Sequence, residues 1–203
     1  MEQSRNAPAG VFVHPHGLCE SDSVGAGTRI WAFAHVLPGA VVGEGCNICD
    51  GAYVEGGAVV GDRVTVKNQV MIFDGVAVEN DVFLGPGVIF TNDMKPRAHS
   101  KRSGDALLPT LVRRGATLGA GSVVVCGSTI GEHAFVGAGA VVTRDVAAHS
   151  FMVGNPARRI GWACVCGERL PADLACTDCG RRFRAVESGS SVEMVADVAA
   201  PVL

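Results

Sequence analysis

The sequence predicts an all-β fold, a parallel β-helix of stacked coils, and three features of the 203-residue chain carry this prediction. From Val24 to Phe90, every sixth residue is large and apolar. Four residues after each of these, from Thr28 to Val88, the side chain is small or β-branched. Glycine is abundant, with 27 residues, whereas aromatic residues make up only 5%. Two inward positions in six residues suit triangular coils of about 18 residues, stacked about 4.8 Å apart.

The first elements are an N-terminal arm, residues 1–11, and the β-helix itself, residues 12–161. Counting backwards from Val24 in sixes reaches Leu18 and Phe12, so both are expected to point inward and the first coil is expected to begin at residue 12. Coils that cannot bury their inner faces alone must stack into one body. The predicted rungs are Val24, Ile30, Val36, Val42, Ile48, Val54, Val60, Val66, Ile72, Val78, Leu84 and Phe90, then Val112, Leu118, Val124, Ile130, Val136 and Val142.

An insertion interrupts the repeat. The register fails after Phe90 and resumes at Val112, and the spacing between these two residues is not a multiple of six. We therefore predict that residues 91–111 are thrown out of the helix at one corner. This is the most polar stretch between the rungs, and long loops on rigid scaffolds commonly carry function. One wall of an active site is expected here.

A separate cysteine module is predicted at residues 162–185. Two cysteine pairs, each followed by glycine, are separated by nine residues. Four thiolates at such a spacing suit a tetrahedral zinc ion with no open position, so we predict a structural, zinc-ribbon-like site. The predicted ligands are Cys164, Cys166, Cys176 and Cys179.

Composition narrows the class of protein. The formal net charge is -3 with both signs mixed, which predicts neither a nucleic-acid surface nor membrane attraction. No apolar stretch approaches membrane-spanning length, and no targeting segment is evident, so a cytoplasmic protein is expected. The final stretch, residues 186–203, has neither turns nor rungs and is expected to fray. The expected partner is a small molecule.

Particular motifs resemble a known family over about residues 12–162. Phe83-Leu84-Gly85-Pro86, Phe90-Thr91-Asn92 and the closing Val153-Gly154-Asn155-Pro156-Ala157 are similar to those of the left-handed β-helix acyltransferases. The likeness is greatest to bacterial N-acetyltransferases acting on UDP-2-acetamido-3-amino-2,3-dideoxy-glucuronate in surface polysaccharide synthesis. The resemblance implies left-handed coils, acetyl-CoA as co-substrate, and a homotrimer with active sites between subunits.

The resemblance also implies a site. It places a substrate-orienting amide at Asn92, the candidate catalytic residue. Further candidates for holding the nucleotide sugar are Asn68, Gln69, Arg97, Lys95 and His35, with Arg97 suited to bidentate binding of a carboxylate or diphosphate. Coenzyme binding is expected at Gly119, Gly137, Gly139, Arg113, Arg114, Arg158 and Arg159. Turn formation, inter-coil ladders and a solvated charged rim are the structural alternatives for these residues.

The acceptor is expected to be an amine. O-acetyltransferases of this superfamily carry a histidine in a T-x-x-H-P motif, whereas the corresponding stretch here is Thr91-Asn92-Asp93-Met94-Lys95-Pro96. An alcohol benefits from such a base, but an amine needs only its last proton removed, which the departing thiolate can do.

Other functions fit the same scaffold. One is N-acylation of a dTDP-3-amino-3,6-dideoxyhexose, which has a methyl group in place of the carboxylate. A zinc hydratase of the γ-carbonic anhydrase type would need three converging histidines, and the six histidines lack the expected paired spacing. A non-catalytic trimeric scaffold would bind no coenzyme.

Overall fold

The structure, a computed structural model, describes residues 8–186, 189 and 191–196. Within these residues the fold is all-β, and the only helical element is a 3₁₀ turn at Gly104–Ala106. In chain order the strands are β1 Phe12–Val13, β2 Leu18–Cys19, β3 Arg29–Ile30, β4 His35–Val36, β5 Val41–Val42, β6 Asn47–Ile48, β7 Tyr53–Val54, β8 Val59–Val60, β9 Thr65–Val66, β10 Met71–Ile72, β11 Val76–Val78, β12 Phe83–Leu84, β13 Ile89–Phe90, β14 Thr110–Val112, β15 Thr117–Leu118, β16 Val123–Val124, β17 Thr129–Ile130, β18 Phe135–Val136, β19 Val141–Val142, β20 Ser150–Val153, β21 Arg158–Trp162, β22 Arg182–Ala185 and β23 Val192–Ala196.

Three sheets form the faces of a triangular solenoid. Sheet A has the order β1-β3-β6-β9-β12-β15-β18-β20-β21, sheet B has β19-β16-β13-β10-β7-β4-β2, and sheet C has β17-β14-β11-β8-β5. In each coil the chain passes from sheet A to sheet B to sheet C, which defines an AB, a BC and a CA corner. Regular coils pair in parallel at an offset of three hexapeptides, as between Thr65 and Phe83. The left-handed parallel β-helix predicted from the sequence is confirmed.

The predicted rungs form the core. The rung side chains from Val24 to Phe90 are at most 8% exposed, and the rung side chains from Val112 to Val142 are at most 1% exposed. The small positions between them are buried as well, so one apolar cluster runs the length of the solenoid. Burial of a single valine, leucine or isoleucine side chain contributes about 1.5–3 kcal/mol. The fold therefore rests on this column of aliphatic side chains.

The first coil differs from the prediction. Phe12 and Leu18 were expected to point inward, but they are 46% and 49% exposed. Val13 and Cys19 take the inward positions instead. The reason is register: Phe12 pairs with Arg29, so the first coil is one residue shorter than three full hexapeptides. A deletion of one residue moves every earlier side chain to the opposite face.

The insertion ends earlier than predicted. Thr110 and Leu111 belong to β14, which pairs with β11, rather than to the loop. The inserted segment is therefore residues 91–109. Val112 is buried, as the resumed count requires.

The C-terminal end also needs a correction. β20 and β21 form an antiparallel pair that closes sheet A, and β22 and β23 form a hairpin in the cysteine module. The expectation that the chain frays from residue 186 is wrong for Val192–Ala196, because these residues form β23. Val192 packs with Phe183 and Leu170 in a second small core. Residues 1–7 of the predicted arm and 197–203 of the predicted tail lie outside the described residues.

Candidate active site

The inserted loop leaves the solenoid at the BC corner, beside the outward face of sheet B. Met71 of β10 pairs with Ile89 of β13. By this register Phe73 lies one coil below Thr91, where "below" means towards the N-terminal coils. Asn92, the next residue, therefore stands at the edge of the sheet B face, where the loop begins.

Backbone contacts fix the position of Asn92. The hydroxyl of Thr91 accepts a hydrogen bond from the backbone N–H of Cys126, at 3.0 Å. The carbonyl oxygen of Asn92 accepts one from the N–H of Leu108, also at 3.0 Å. These bonds close the base of the loop and leave the half-buried amide side chain of Asn92 available for a ligand. The structure thus places the candidate catalytic residue on rigid backbone.

Within the loop, the two candidate cations are exposed. The guanidinium of Arg97 donates to the carbonyl of Pro96 at 2.9 Å, and Lys95 donates its backbone N–H to Asp93. Asp93 also lies 3.5 Å from Arg102, an ion pair across the loop that sequence reasoning missed. Two opposite charges nine residues apart in a polar loop give no periodic signal by which to pair them.

Two more of the predicted sugar ligands, Asn68 and Gln69, lie at the AB corner. Asn68 donates to the carboxylate of Asp50, one coil below, at 3.4 Å. Gln69 has a φ of 60° and projects from the next position of the same corner. Asn68 thus takes part in an inter-coil ladder, the structural alternative considered for it, while both side chains are exposed.

His35 lies on the outward face of sheet B. Its Nε2 is 2.7 Å from a carboxylate oxygen of Glu20. Its ring meets Tyr53 edge-on at 6.0 Å. Three coils separate His35 from Asn92, about 14 Å at the usual strand spacing. The two residues therefore share a face of the solenoid without touching.

The three glycines assigned to the coenzyme have different surroundings. A Cβ at Gly119 would lie 2.5 Å from the backbone nitrogen of Ala138, and one at Gly137 would lie 3.0 Å from Val153. Close stacking of coils explains these two glycines without a ligand. Gly139 has a φ of 67° and open space where its Cβ would be. It is the one of the three that presents bare backbone to solvent.

Arg113 and Arg114 lie at the CA corner, on the opposite side of the coil from these glycines. Arg113 is 3.6 Å from Glu79. Arg114 donates from Nε and Nη2 to one oxygen of Glu132, at 2.9 and 2.5 Å. Within one chain, both arginines are paired with carboxylates and stand away from the AB corner.

Arg158 and Arg159 lie on β21, at the C-terminal end of the solenoid. The backbone N–H of Ala157 bonds to the carbonyl of Val141, which places Arg158 beside the last coil of sheet B. The guanidinium of Arg159 packs over the ring of Trp162 at 4.0 Å. Of the four arginines, Arg158 is the one that directly follows a residue bonded to Val141, which lies two residues after Gly139.

A histidine pair links the cysteine module to the last coils. The rings of His133 and His149 are 5.2 Å apart, and His149 meets Phe183 of the module at the same distance. Burial lowers the pKa of both imidazoles, and for His133 the charge of His149 adds to the effect. Glu132 opposes the shift in both. These histidines were not assigned a role from the sequence.

The four predicted metal ligands converge. The sulfur atoms of Cys164, Cys166, Cys176 and Cys179 lie within 4.8 Å of one another. Burial raises the pKa of the Cys164 thiol. Burial opposes ionisation of Cys179, but hydrogen bonds from the backbone and side chain of Arg181 and from the thiols of Cys164 and Cys176 together outweigh it and lower the Cys179 pKa to about 6. Four sulfurs at this separation match the ligand set of a closed zinc site.

Comparisons with known proteins bear on the whole solenoid. The family model for bacterial transferase hexapeptide repeats, six in number, matches residues 23–56 and 109–144. The dTDP-3-amino-3,6-dideoxy-alpha-D-galactopyranose 3-N-acetyltransferase of Aneurinibacillus thermoaerophilus is 57% identical over 175 residues, which are 85% of this chain and 90% of that enzyme. In the described part of the chain, no helix is long and apolar enough to cross a membrane.

Solved structures share the fold. A variant of the GDP-perosamine N-acetyltransferase of Caulobacter crescentus, in complex with CoA and GDP-perosamine, has a TM-score of 0.55 and 26% identity, covering 68% of this chain and 57% of that one. The acetyltransferase domain of PglB from Neisseria gonorrhoeae, in complex with acetyl coenzyme A, has a TM-score of 0.50 and 21% identity, covering 75% of this chain and 58% of that one. This chain thus spans less than three fifths of either solved chain. On the repeats and the 57% identity, the chain belongs to the hexapeptide-repeat family of sugar N-acetyltransferases.

Proposed function

We propose that this enzyme transfers the acetyl group of acetyl-CoA to the 3-amino group of a dTDP-3-amino-3,6-dideoxyhexose, as a step in surface polysaccharide synthesis. The observation that carries the proposal is the 57% identity to an enzyme named for such a substrate, over 90% of that enzyme's length. The sequence motifs alone favoured the UDP-linked aminouronate and kept the dideoxyhexose as the alternative. The relative reverses that order.

The aminouronate remains the second candidate because of the inserted loop. Lys95 and Arg97 present two exposed cations close to Asn92 in the chain. A guanidinium binds a carboxylate bidentately, and a 6-deoxy sugar has no carboxylate to offer. For the dideoxyhexose, the same cations would serve the diphosphate.

The chemistry requires little from acid–base groups. The neutral amine attacks the thioester carbonyl, the carbon–sulfur bond breaks, and the departing thiolate takes the proton that the amine loses. Asn92 supports this step by accepting a hydrogen bond from the amine and orienting its lone pair. The sequence has no histidine between Asn92 and Pro96, which agrees with an amine acceptor.

An assay of acetyl-CoA consumption tests the substrate. We expect turnover with a dTDP-3-amino-3,6-dideoxyhexose and much weaker turnover with the UDP-linked aminouronate. Arg97→Ala should affect both nucleotide sugars alike, because the diphosphate is common to them. A large loss confined to the uronate would reverse the assignment, and absence of turnover on every amino sugar would overturn it.

The coenzyme is assigned to the C-terminal end of the sheet B face, near Gly139 and Arg158. Gly139 offers open backbone, and Arg158 offers a cation for a phosphate. A homotrimer with sites between subunits would bring Arg113 and Arg114 of one chain towards the coenzyme of another. Sedimentation equilibrium should then give three times the chain mass, and a monomer that is fully active would contradict this assignment.

Zinc is assigned to the cysteine module. The four sulfurs form a closed set, so the ion would hold the module together and leave no position for substrate. We expect about one zinc ion per chain in the purified protein. Cys166→Ser should lose the metal, whereas Cys19→Ser, which alters a buried cysteine of the first coil, should retain it. Equal zinc content in both variants would exclude the site.

A further inference from the structure

An aromatic groove crosses the outward face of sheet B on the N-terminal side of the inserted loop. Its volume is about 440 Å³. Tyr53 stands at its centre, 6.3 Å from the ring of Phe73 and 6.0 Å from that of His35. Phe33 and Met71 complete the walls and are 73% and 48% exposed. On sheet C, the outward positions of the same coils, in β5 and β8, hold valine instead.

The groove runs along sheet B towards Asn92, the residue proposed to act in acetyl transfer. Phe73, at its upper edge, lies one coil below Thr91 by the register of β10 and β13. Asn92 therefore lies next to the end of the groove that Phe73 forms. On the far side of Asn92, towards the C-terminus, lie the coils assigned to acetyl-CoA. A substrate that extends from Asn92 away from the coenzyme must run along this groove.

We infer that the groove binds the pyrimidine base of the nucleotide sugar. This inference rests on the proposed function, which supplies a nucleoside diphosphate as the part of the substrate that does not react. Bases stack on aromatic side chains, and each such contact contributes about 1–3 kcal/mol. The distance of about 14 Å between the coils of His35 and Asn92 leaves room for the ribose and diphosphate between base and amine.

His35 adds a means of choosing the base. Nε2 of His35 lies 2.7 Å from a carboxylate oxygen of Glu20, which can only accept a hydrogen bond, so in the tautomer that donates from Nε2 the Nδ1 atom is an acceptor. Among the described residues, no hydrogen bond to Nδ1 is found. Thymine and uracil carry an N3–H that can donate to this nitrogen, whereas N3 of cytosine is itself an acceptor. The groove should therefore favour TDP and UDP over CDP.

Calorimetric titration of the full chain with TDP, UDP and CDP tests the inference. Tyr53→Ala should weaken TDP binding about tenfold, the lower part of the range for one stacked base. Tyr53→Phe keeps the ring and should bind TDP within twofold of the wild type. Phe83→Ala, which removes an outward aromatic ring from sheet A, is the matched control and should leave TDP binding unchanged. His35→Ala should reduce the preference for UDP over CDP.

Kinetics give a second measurement. Tyr53→Ala should raise the KM for the nucleotide sugar by the same factor while kcat at saturation is retained, because the base takes no part in the chemical step. Phe33→Ala provides a variant at an exposed position and should weaken TDP binding several-fold.

The outcomes separate the two proposals. Wild-type affinity for TDP in Tyr53→Ala, equal weakening in Phe83→Ala, or no TDP binding by the wild type would each overturn the location of the base. The titrations need no acceptor amine. Failure of the wild type to acetylate any amino sugar, with TDP binding that depends on Tyr53, would overturn the proposed substrate and support the groove.

Discussion

Gln69 shows how a single residue can depart from the pattern of the fold. It holds a φ of 60° at the AB corner, where Gly51 and Gly87, one coil below and one above, have φ values of 68° and 67°. A side chain in this left-handed conformation costs about 1–2 kcal/mol, and glycine avoids that cost. Gln69 carries this cost beside the sheet B face, and the substrate-binding role expected for it stays a prediction.

Gln69→Gly separates stability from binding. Relief of the strained backbone and the greater freedom of glycine in the unfolded chain oppose each other, so the free energy of unfolding should change by no more than about 1 kcal/mol. The KM for the nucleotide sugar should rise. Denaturant melts and steady-state kinetics check both values. Arg63→Gly makes the same backbone change at the CA corner, where φ is 54°, and should leave KM unchanged.

An unchanged KM in Gln69→Gly would leave the glutamine without a role in binding.

Asn92→Ala is the stronger test of the chemical step. The backbone of Asn92, not its side chain, closes the loop base, so the melting temperature should be retained. The kcat should fall about a hundredfold through loss of orientation, and a retained kcat would exclude Asn92 as the catalytic residue.

At the scale of elements, the cysteine module is docked on the solenoid through His149. Nδ1 of His149 donates to the carbonyl of Ala163 at 3.0 Å, at the entrance to the module. Its backbone carbonyl accepts from Ala163 in return. The rings of Phe183 and His133 both lie 5.2 Å from its ring. The contact places a titratable group inside a packed junction.

The pH dependence of stability should report this junction. Burial lowers the folded-state pKa of His149 and His133 from the usual 6.5, so the unfolded chain binds more protons just below that value. Their contribution to stability is therefore complete above pH 6.5 and is lost as pH falls through the folded pKa. The melting temperature should therefore drop as the pH falls below about 6.5.

His149→Gln should flatten this pH dependence, since the amide can donate to Ala163 without titrating. His99→Gln changes an exposed histidine of the inserted loop and should keep the wild-type slope. Thermal melts across the pH range compare the two. Glu132 faces both buried histidines and is negatively charged throughout that range, so it does not supply the transition itself. Equal slopes in the two variants would exclude His149 as its origin.

For the whole molecule, the period of six made most of the solenoid predictable, because inward positions alternate between large rungs and small residues. The six-residue period gave the wrong inward positions in the first coil, where the repeat is one residue short. Leu18 and Cys19 are both apolar, so the sequence offered no sign that the count had moved by one. The strand Val192–Ala196 has no repeat to announce it, since it is held by pairing with β22 and a small separate core.

The candidate site was less predictable than the scaffold. Asn92 follows from a local motif, but the groove around Tyr53 depends on outward side chains that are adjacent only across coils. Tyr53 and Met71 occupy the same outward position as His35, which was predicted as a substrate ligand, in successive coils. The period of a whole coil, applied to outward positions, is the signal that would have added these two residues to His35. Arg113 and Gly139 were both predicted to bind the coenzyme, but within one chain they lie at different corners of the solenoid.

A pair of leucine substitutions tests the difference between counted and actual rungs. Leu84 is fully buried in the middle of the column, whereas Leu18, which the count also makes a rung, is 49% exposed. Each coil packs only against its neighbours, so a cavity at Leu84 cannot be filled by distant coils. Leu84→Ala should therefore lower the free energy of unfolding by about 2–5 kcal/mol, and Leu18→Ala by about 0.5 kcal/mol or less. Denaturant melts of the two variants measure the difference. Similar losses would mean that Leu18 is buried in the assembled protein, either in the core or beneath another subunit.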